Sequence, residues 1–175
     1  MIFNLFSKWL RDEEGVAAVE AAMIFPLMLV LMIGVFDAGN AIIANQKTVR
    51  ASQVVADLIA RNSRVSVDSI NEAVEAGRLA YEPLQNNSFG IDIVSMRFDE
   101  DADTEIVWRE TVNINPLPDA AGAVEALQAP NEGVVMVTVD YRYEPLFVGF
   151  VLDAINMREV AFSRGRSAAV VTLEP

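Results

Sequence analysis

The chain contains no cysteine and no histidine. Without cysteine it has no disulfide framework, no thiol nucleophile, no lipid-modified cysteine and no cysteine-based metal site. Without histidine, the Ser-His-Asp and Cys-His mechanisms and the usual zinc sites are excluded, together with the commonest general base near neutral pH. These absences favour a structural or binding role. We therefore expect no enzymatic activity, no cofactor, no resident metal and no small-molecule substrate.

Basic residues are also scarce. Lysine and arginine number 13 against 25 aspartates and glutamates, so the formal net charge is −12 at pH 7. Nucleic-acid binding depends on cationic side chains that neutralise phosphates, and a chain this acidic repels a phosphate backbone. Nucleic acid is therefore not expected among the partners.

Apolar residues are abundant and concentrated in one segment. Hydrophobic residues make up 53% of the chain, although 22% of its residues are charged. The run Val16 to Phe36 contains a single charged residue, Glu20. As a helix this run would be about 31 Å long, which matches the hydrocarbon core of a bilayer. The sequence therefore predicts a transmembrane helix over residues 16–36.

A cleaved secretory signal would have its cleavage site just after the apolar run. Residues 37–41 (Asp-Ala-Gly-Asn-Ala) offer no good small-x-small site, and the run carries an acid near its start. Permanent retention in the membrane is the better interpretation. The positive-inside rule does not orient the span, because Lys8 and Arg11 precede it and Lys47 and Arg50 follow it at a comparable distance.

Glu20 is an acid in a segment where an unpaired charge is expensive. If the chain were cut between Gly15 and Val16, the new α-amino group would have a reference pKa near 8 and would enter the same membrane layer. Glu20 would then have a cationic partner, in its own helix or in a neighbouring subunit, and pairing between subunits would set their axial register. The alternative is that Glu20 extends to the interface as an ordinary polar residue.

The residues around this position resemble a known processing site. The string from Gly15 through Val16 to Glu20 resembles the type IV prepilin site, in which a glycine precedes an apolar stretch with glutamate at its fifth place. A wider set is similar to the TadE-like family of the Flp (tight adherence) pilus system: Gly15, Ala18-Val19-Glu20, Ala22, Pro26-Leu27, Gly34 and Phe36-Asp37-Ala38-Gly39. The Tyr-x-Tyr-x-Pro-Leu-Phe run, Tyr141 to Phe147, also resembles that family. The similarity is strongest over residues 15 to about 60.

The resemblance implies a leader at residues 1–15, cleavage between Gly15 and Val16 by a prepilin peptidase, and a single span in the bacterial cytoplasmic membrane. Residues 37–175 would then form an extracytoplasmic domain in the periplasm or outside the cell. The implied role is that of a minor pilin or pseudopilin in pilus assembly. Its partners would be the peptidase, other pilin or pseudopilin subunits and membrane lipid. The alternative is an unprocessed, single-pass anchored scaffold or binding protein.

Beyond the span, the pattern predicts an α+β domain with an antiparallel sheet packed on helices. One helix would continue through residues 41–63, and a second would run from Val67 to Leu79, capped by Asp68 or Ser69. The inner face of the second helix would comprise Ile70, Ala73, Val74 and Gly77. Strands are predicted at 91–98, 105–114, 134–143 and 157–163, with a short helix within 120–128.

Side-chain alternation predicts which residues share a face of each strand. On 91–98 these are Asp92, Val94, Met96 and Phe98; on 105–114 they are Ile106, Trp108, Val112 and Ile114. On 134–143 they are Val135, Val137, Val139, Tyr141 and Tyr143.

Two further segments have alternative interpretations. In the window 99–110, acids at places 1, 3, 5, 7 and 12 imitate a calcium-binding loop, but Thr104 stands where the sharp turn needs glycine. A solvated hairpin tip is favoured. The uncharged run Pro145 to Leu152 reads as core rather than as an exposed patch.

Overall fold

A computed structural model of the chain describes residues 13–84, 87–147, 149 and 153–174. The predicted leader lies mostly outside these residues. The elements, in chain order, are α1 (Glu13–Ala60), β1 (Arg64–Val65), α2 (Val67–Leu79), β2 (Gly90–Phe98), β3 (Thr104–Val112), a 3-10 helix (Gly122–Leu127), β4 (Gly133–Tyr143), β5 (Ile155–Ser163) and β6 (Thr172–Leu173). The predicted α+β class is confirmed.

The described residues form two compact units. The anchor unit comprises those of Met1–Asn40 and Pro145–Asp153, and the globular unit comprises those of Ala41–Glu144 and Ala154–Pro175. Helix α1 runs through both without interruption, and Pro26 lies inside it. A proline there removes one backbone hydrogen bond and crowds the carbonyl of Ala22, so we expect the helix to kink at this point.

Helix α2 has the predicted bounds and the predicted buried face. Its cap differs from the prediction of Asp68 or Ser69, because Ser66 is the N-cap residue. The Ser66 hydroxyl accepts a hydrogen bond from the Ser69 amide at 3.2 Å, and the Ser69 hydroxyl accepts one from the Ser66 amide at 2.9 Å. This reciprocal capping box satisfies two amides that the first turn leaves free. Ser69 therefore completes the cap from the third helical position.

The main sheet has four antiparallel strands in the order β3-β2-β4-β5, so the two central strands are β2 and β4. Both central strands are buried along nearly their whole length. One face of the sheet joins residues of α1 and α2 in the larger core, which includes all five predicted inward-facing residues of β4. The other face carries Val94, Met96 and Phe98 and packs around Val124 of the 3-10 helix. The predicted packing of sheet on helices is confirmed.

Strand β3 departs from the predicted alternation. Ser95 pairs with Trp108 and Met96 pairs with Ile106, so Val107 is an extra residue in a β-bulge. The bulge places Trp108 and Ile106 on opposite faces. Trp108 is buried, whereas Ile106 is 46% exposed. The prediction that the two share a face is therefore wrong, and Ile114 lies beyond the end of the strand.

Candidate functional site

The first half of α1 exposes large apolar side chains in every direction. Met23, Ile24 and Phe25 are 76%, 53% and 63% exposed, although consecutive helical residues point about 100° apart. The helix is long and apolar enough to cross a membrane, and none of its most hydropathic 18-residue window is buried. A core helix of a water-soluble protein would bury at least one face. This half is compatible with single-pass membrane anchoring.

The candidate processing site lies in the first turn of α1. Gly15 and Val16 both have helical backbone, and Val16 is 53% exposed. Glycine is about 1 kcal/mol less favourable than alanine inside a helix, so Gly15 weakens this turn.

Glu20 lies one turn beyond Val16 and is exposed. None of the hydrogen bonds or ion pairs among the described residues involves its carboxylate. Helical side chains tilt towards the amino terminus, so the Glu20 side chain extends in the direction of Val16. The three predicted site residues, Gly15, Val16 and Glu20, thus lie within two turns of each other in the first described part of α1.

Asp37 is a candidate functional residue that the sequence analysis named only within the family motif, without a role. It follows the apolar run directly, is only 3% exposed, and belongs to the anchor unit. Its carboxylate accepts hydrogen bonds from the backbone amides of Leu146 at 3.1 Å and Phe147 at 2.9 Å. In the sequence, Asp37 is recognisable only as an acid at the end of an apolar run. The sequence does not indicate the two amides that it binds, which lie more than 100 residues further along the chain.

The segment held by Asp37 corrects another prediction. Leu146 and Phe147 were expected in the core but are 70% and 52% exposed. The Phe147 ring instead packs edge-on against Phe36, with ring centroids 5.6 Å apart. Val148 and residues 150–152 of the same run, including Phe150, lie outside the described residues.

The acidic window 99–110 forms a β-hairpin and not a continuous binding loop. Asp99 accepts hydrogen bonds from the amides of Asp101 at 3.0 Å and Asp103 at 2.7 Å, which closes the turn. Glu105 pairs with Arg97 across the strands. Within the part of the chain that the structure describes, no group of three or more acids is arranged to hold a metal ion.

Among the described residues of the globular unit, one ion pair includes a fully buried acid. Asp92 of β2 has no exposed side-chain surface, and both its oxygens accept hydrogen bonds from Arg109 of β3, at 2.8 and 2.6 Å. Arg109 also donates to the Leu117 carbonyl, and the Leu117 amide donates to Asp92. The hydrogen bonds to Asp92 raise the pKa of Arg109. Because every partner is internal, this network ties the loop after β3 to the sheet.

Two grooves on the globular unit are open to solvent. One lies beside residues 41–46 of α1 and the first residues of β5, and the other adjoins Ser88, Asn113 and the end of β4. The acid among their lining residues is Asp140, which forms an ion pair with Arg158. Neither groove brings together the two carboxylates that a paired-acid mechanism requires.

Comparison with curated proteins and with solved structures gives no match. Comparison with protein families gives a match that covers the candidate site and most of the buried part of α1. The predicted resemblance is confirmed over this stretch: residues 15–57 match the family model described as TadE-like protein.

Proposed function

We propose that the chain is a minor pilin or pseudopilin of a Flp (tight adherence) type IV pilus system that acts in pilus assembly without catalysing a reaction. Residues 16–36 anchor it in the bacterial cytoplasmic membrane, and residues 37–175 lie in the periplasm or outside the cell. A prepilin peptidase removes residues 1–15. The observation that carries the proposal is the TadE-like match over 15–57, which begins at the residue where cleavage would occur.

The geometry of α1 supports this proposal. Its first half exposes apolar side chains in all directions, as lateral packing with lipid or with other apolar helices requires. Its second half is embedded in the core of the globular unit through Ala51, Val55 and Ile59. One helix therefore provides both the membrane anchor and a central element of the folded domain.

Cleavage would give Glu20 a cationic partner. The Val16 amine would lie about 6 Å along the helix axis from Glu20, within reach of a side chain that tilts towards it. The same amine can instead pair with Glu20 of an adjacent subunit, and such a contact would fix the axial offset between two helices. In a low-dielectric layer either pairing is favoured over two isolated charges.

A second candidate is an unprocessed membrane-anchored scaffold. The observation that favours it is the acidic sequence Asp12-Glu13-Glu14 directly before Gly15, where the prepilin pattern has basic residues. In that case Val16 keeps its peptide bond and Glu20 acquires no amine.

The mass of the amino terminus distinguishes the two candidates. The chain is expressed together with a prepilin peptidase, purified from membranes, and analysed by intact mass spectrometry. We expect a mature chain that begins at Val16, and retention of residues 1–15 in cells that lack the peptidase. A chain that keeps its Met1 terminus despite an active peptidase would refute processing and leave the scaffold candidate.

A further inference from the structure

The loop that connects β4 to β5 has the composition of a membrane-contacting segment. Residues 145–152 carry no charge, and the described side chains of Leu146 and Phe147 expose 70% and 52% of their surface. A large exposed apolar patch on a protein indicates a surface that another apolar phase or partner covers. The loop belongs to the anchor unit, although both strands that it connects belong to the globular unit.

Asp37 satisfies backbone groups of this loop that would otherwise need water. Irregular backbone is tolerated near a bilayer core only where its amides and carbonyls have partners, because an unsatisfied group there costs several kcal/mol. The carboxylate of Asp37 accepts from the amides of Leu146 and Phe147 and is itself almost fully buried. Asp37 thus satisfies two backbone N–H donors that would otherwise be unpaired, while the side chains of Leu146 and Phe147 remain exposed.

The loop is continuous with the apolar surface of α1. Phe147 contacts Phe36, the last residue of the apolar run, and neighbouring Val35 is 73% exposed. If residues 16–36 span the bilayer, Phe36 lies where the helix leaves the hydrocarbon. Aromatic side chains are enriched in that layer. A loop fixed against Phe36 therefore lies at the depth where Leu146 and Phe147 can enter lipid.

We propose that the β4–β5 loop is a second membrane contact of this protein, in which Leu146 and Phe147 insert into the lipid interface and Asp37 is the residue that positions them. The occupant of the exposed patch is lipid, since the patch continues the lipid-facing surface of the span. This inference rests on the anchoring part of the proposed function and is independent of processing.

The absence of native cysteine allows a direct test in the full chain. Single cysteines are introduced as Leu146→Cys in the loop, Val35→Cys in the span and Leu79→Cys in the globular unit, where Leu79 is 53% exposed. Each is labelled with an environment-sensitive fluorophore and reconstituted in vesicles of phosphatidylethanolamine and phosphatidylglycerol. Quenching by nitroxide-bearing lipid is compared with quenching by iodide present on both sides of the membrane.

We expect the labels at positions 146 and 35 to be quenched by nitroxide lipid and protected from iodide, and the label at 79 to show the opposite. Iodide quenching at 146 equal to that at 79, with 35 still lipid-quenched, would overturn the loop contact alone. Failure of lipid quenching at 35 would overturn the anchoring and with it this inference. The label at position 146 could also be protected from both quenchers and lose that protection when the protein is diluted in lipid. That result would identify a second copy of the chain as the occupant and would also overturn the lipid contact.

The role of Asp37 is tested in the Leu146→Cys background. Asp37→Ala removes both acceptor oxygens and is expected to make the label accessible to iodide, whereas Asp37→Asn retains one acceptor and should give a smaller change. The circular dichroism of each variant must match that of the parent, which confirms that the fold is intact. A label that stays lipid-quenched in a folded Asp37→Ala variant would refute the positioning role.

Discussion

Three acids of this chain lie in three different environments. Glu20 is exposed on an apolar helix, Asp37 is buried against two backbone amides, and Asp92 is buried against Arg109. A buried carboxylate is stable only when hydrogen bonds or an opposite charge replace its lost hydration. Asp37 and Asp92 meet that condition within the described residues. Glu20 would meet it only with the amine that cleavage creates or with a partner subunit.

The Glu20 proposal predicts separate effects on insertion and on assembly. Replacing Glu20 with alanine removes a charge that opposes membrane insertion, so the membrane-bound fraction should be unchanged or larger. Assembly should be lost, because the partner amine would have no counter-charge. Pili are counted on cells that carry the variant in place of the native chain. Glu75→Ala, at an exposed position of α2, is the control and should assemble normally; normal assembly of Glu20→Ala would show that charge pairing is not required.

Tyr81 predicts a pH dependence at the alkaline end. Its ring is fully buried between Phe89 and Tyr141, with centroid distances of 5.5 and 4.6 Å, and burial raises its pKa to about 12. Below pH 10 the tyrosine is neutral in both states and contributes no pH dependence. Between pH 10 and 12 the unfolded state loses this proton first, so Tyr81 alone should lower the free energy of unfolding by about 1.4 kcal/mol per pH unit.

Urea unfolding at several pH values measures this slope, with Tyr81→Phe as the matched control. Burial also raises the pKa of Tyr141, so the control should keep a smaller slope. Equal slopes in the native chain and in Tyr81→Phe would contradict the assignment to Tyr81.

At the scale of elements, α1 has two halves with different surfaces. The first half exposes large apolar side chains, whereas the second presents small residues such as Ala44 and Ala51 to the core. Small side chains allow another element to approach closely. Helix α2 approaches at Gly77, where an added Cβ would lie 2.7 Å from a methyl group of Val55.

This close approach predicts that Gly77→Ala destabilises the domain. Val55 is fully buried and its branched side chain has few alternative rotamers, so it cannot move away from the new methyl group. Overpacking of this kind typically costs about 1–3 kcal/mol, which should outweigh the gain of up to about 1 kcal/mol in helix propensity. Asn71→Ala, on the exposed face of the same helix, should instead be neutral or slightly stabilising. Chemical denaturation compares the two variants, and a stabilised Gly77→Ala would show that the helices adjust.

Sequence patterns located most elements because their causes are local. The bounds and inner face of α2 follow from its apolar spacing, and the burial of alternate residues along β4 follows from the two-residue period of a strand. The face of Ile106 was mispredicted because a bulge at Val107 shifts the period by one residue. Nothing in the apolar pattern of β3 marks that extra residue, since it is defined by pairing with β2.

At the scale of the molecule, both hydrophobic cores are composed of residues from Ala44 onwards. The globular unit therefore contains the apolar contacts required for cooperative folding. Residues before Ala41 contribute none of the buried core residues among those described. Their apolar surface is used by neither core.

We accordingly predict that a fragment comprising residues 41–175 folds by itself in a single cooperative transition. Trp108 would be its only tryptophan, and its indole donates to the Val171 carbonyl at 2.9 Å in the core. Unfolding in urea is followed by Trp108 fluorescence and by circular dichroism, and the two transitions should coincide. Separate transitions, or a fragment without a transition, would show that the anchor is required for folding. The full chain in detergent is the control and should have the same midpoint by circular dichroism.

The sequence by itself predicted the long apolar helix that is compatible with membrane anchoring, the α+β class and the similarity to TadE-like proteins around Gly15 and Glu20. These properties depend on length, apolarity and periodicity within short stretches of chain, which can be read without knowing what each stretch contacts. Tertiary structure alone decided that Asp37 holds Leu146 and Phe147, and that these two side chains are exposed rather than buried. Such contacts join residues about 110 positions apart, and their energies depend on folded geometry that no local pattern records.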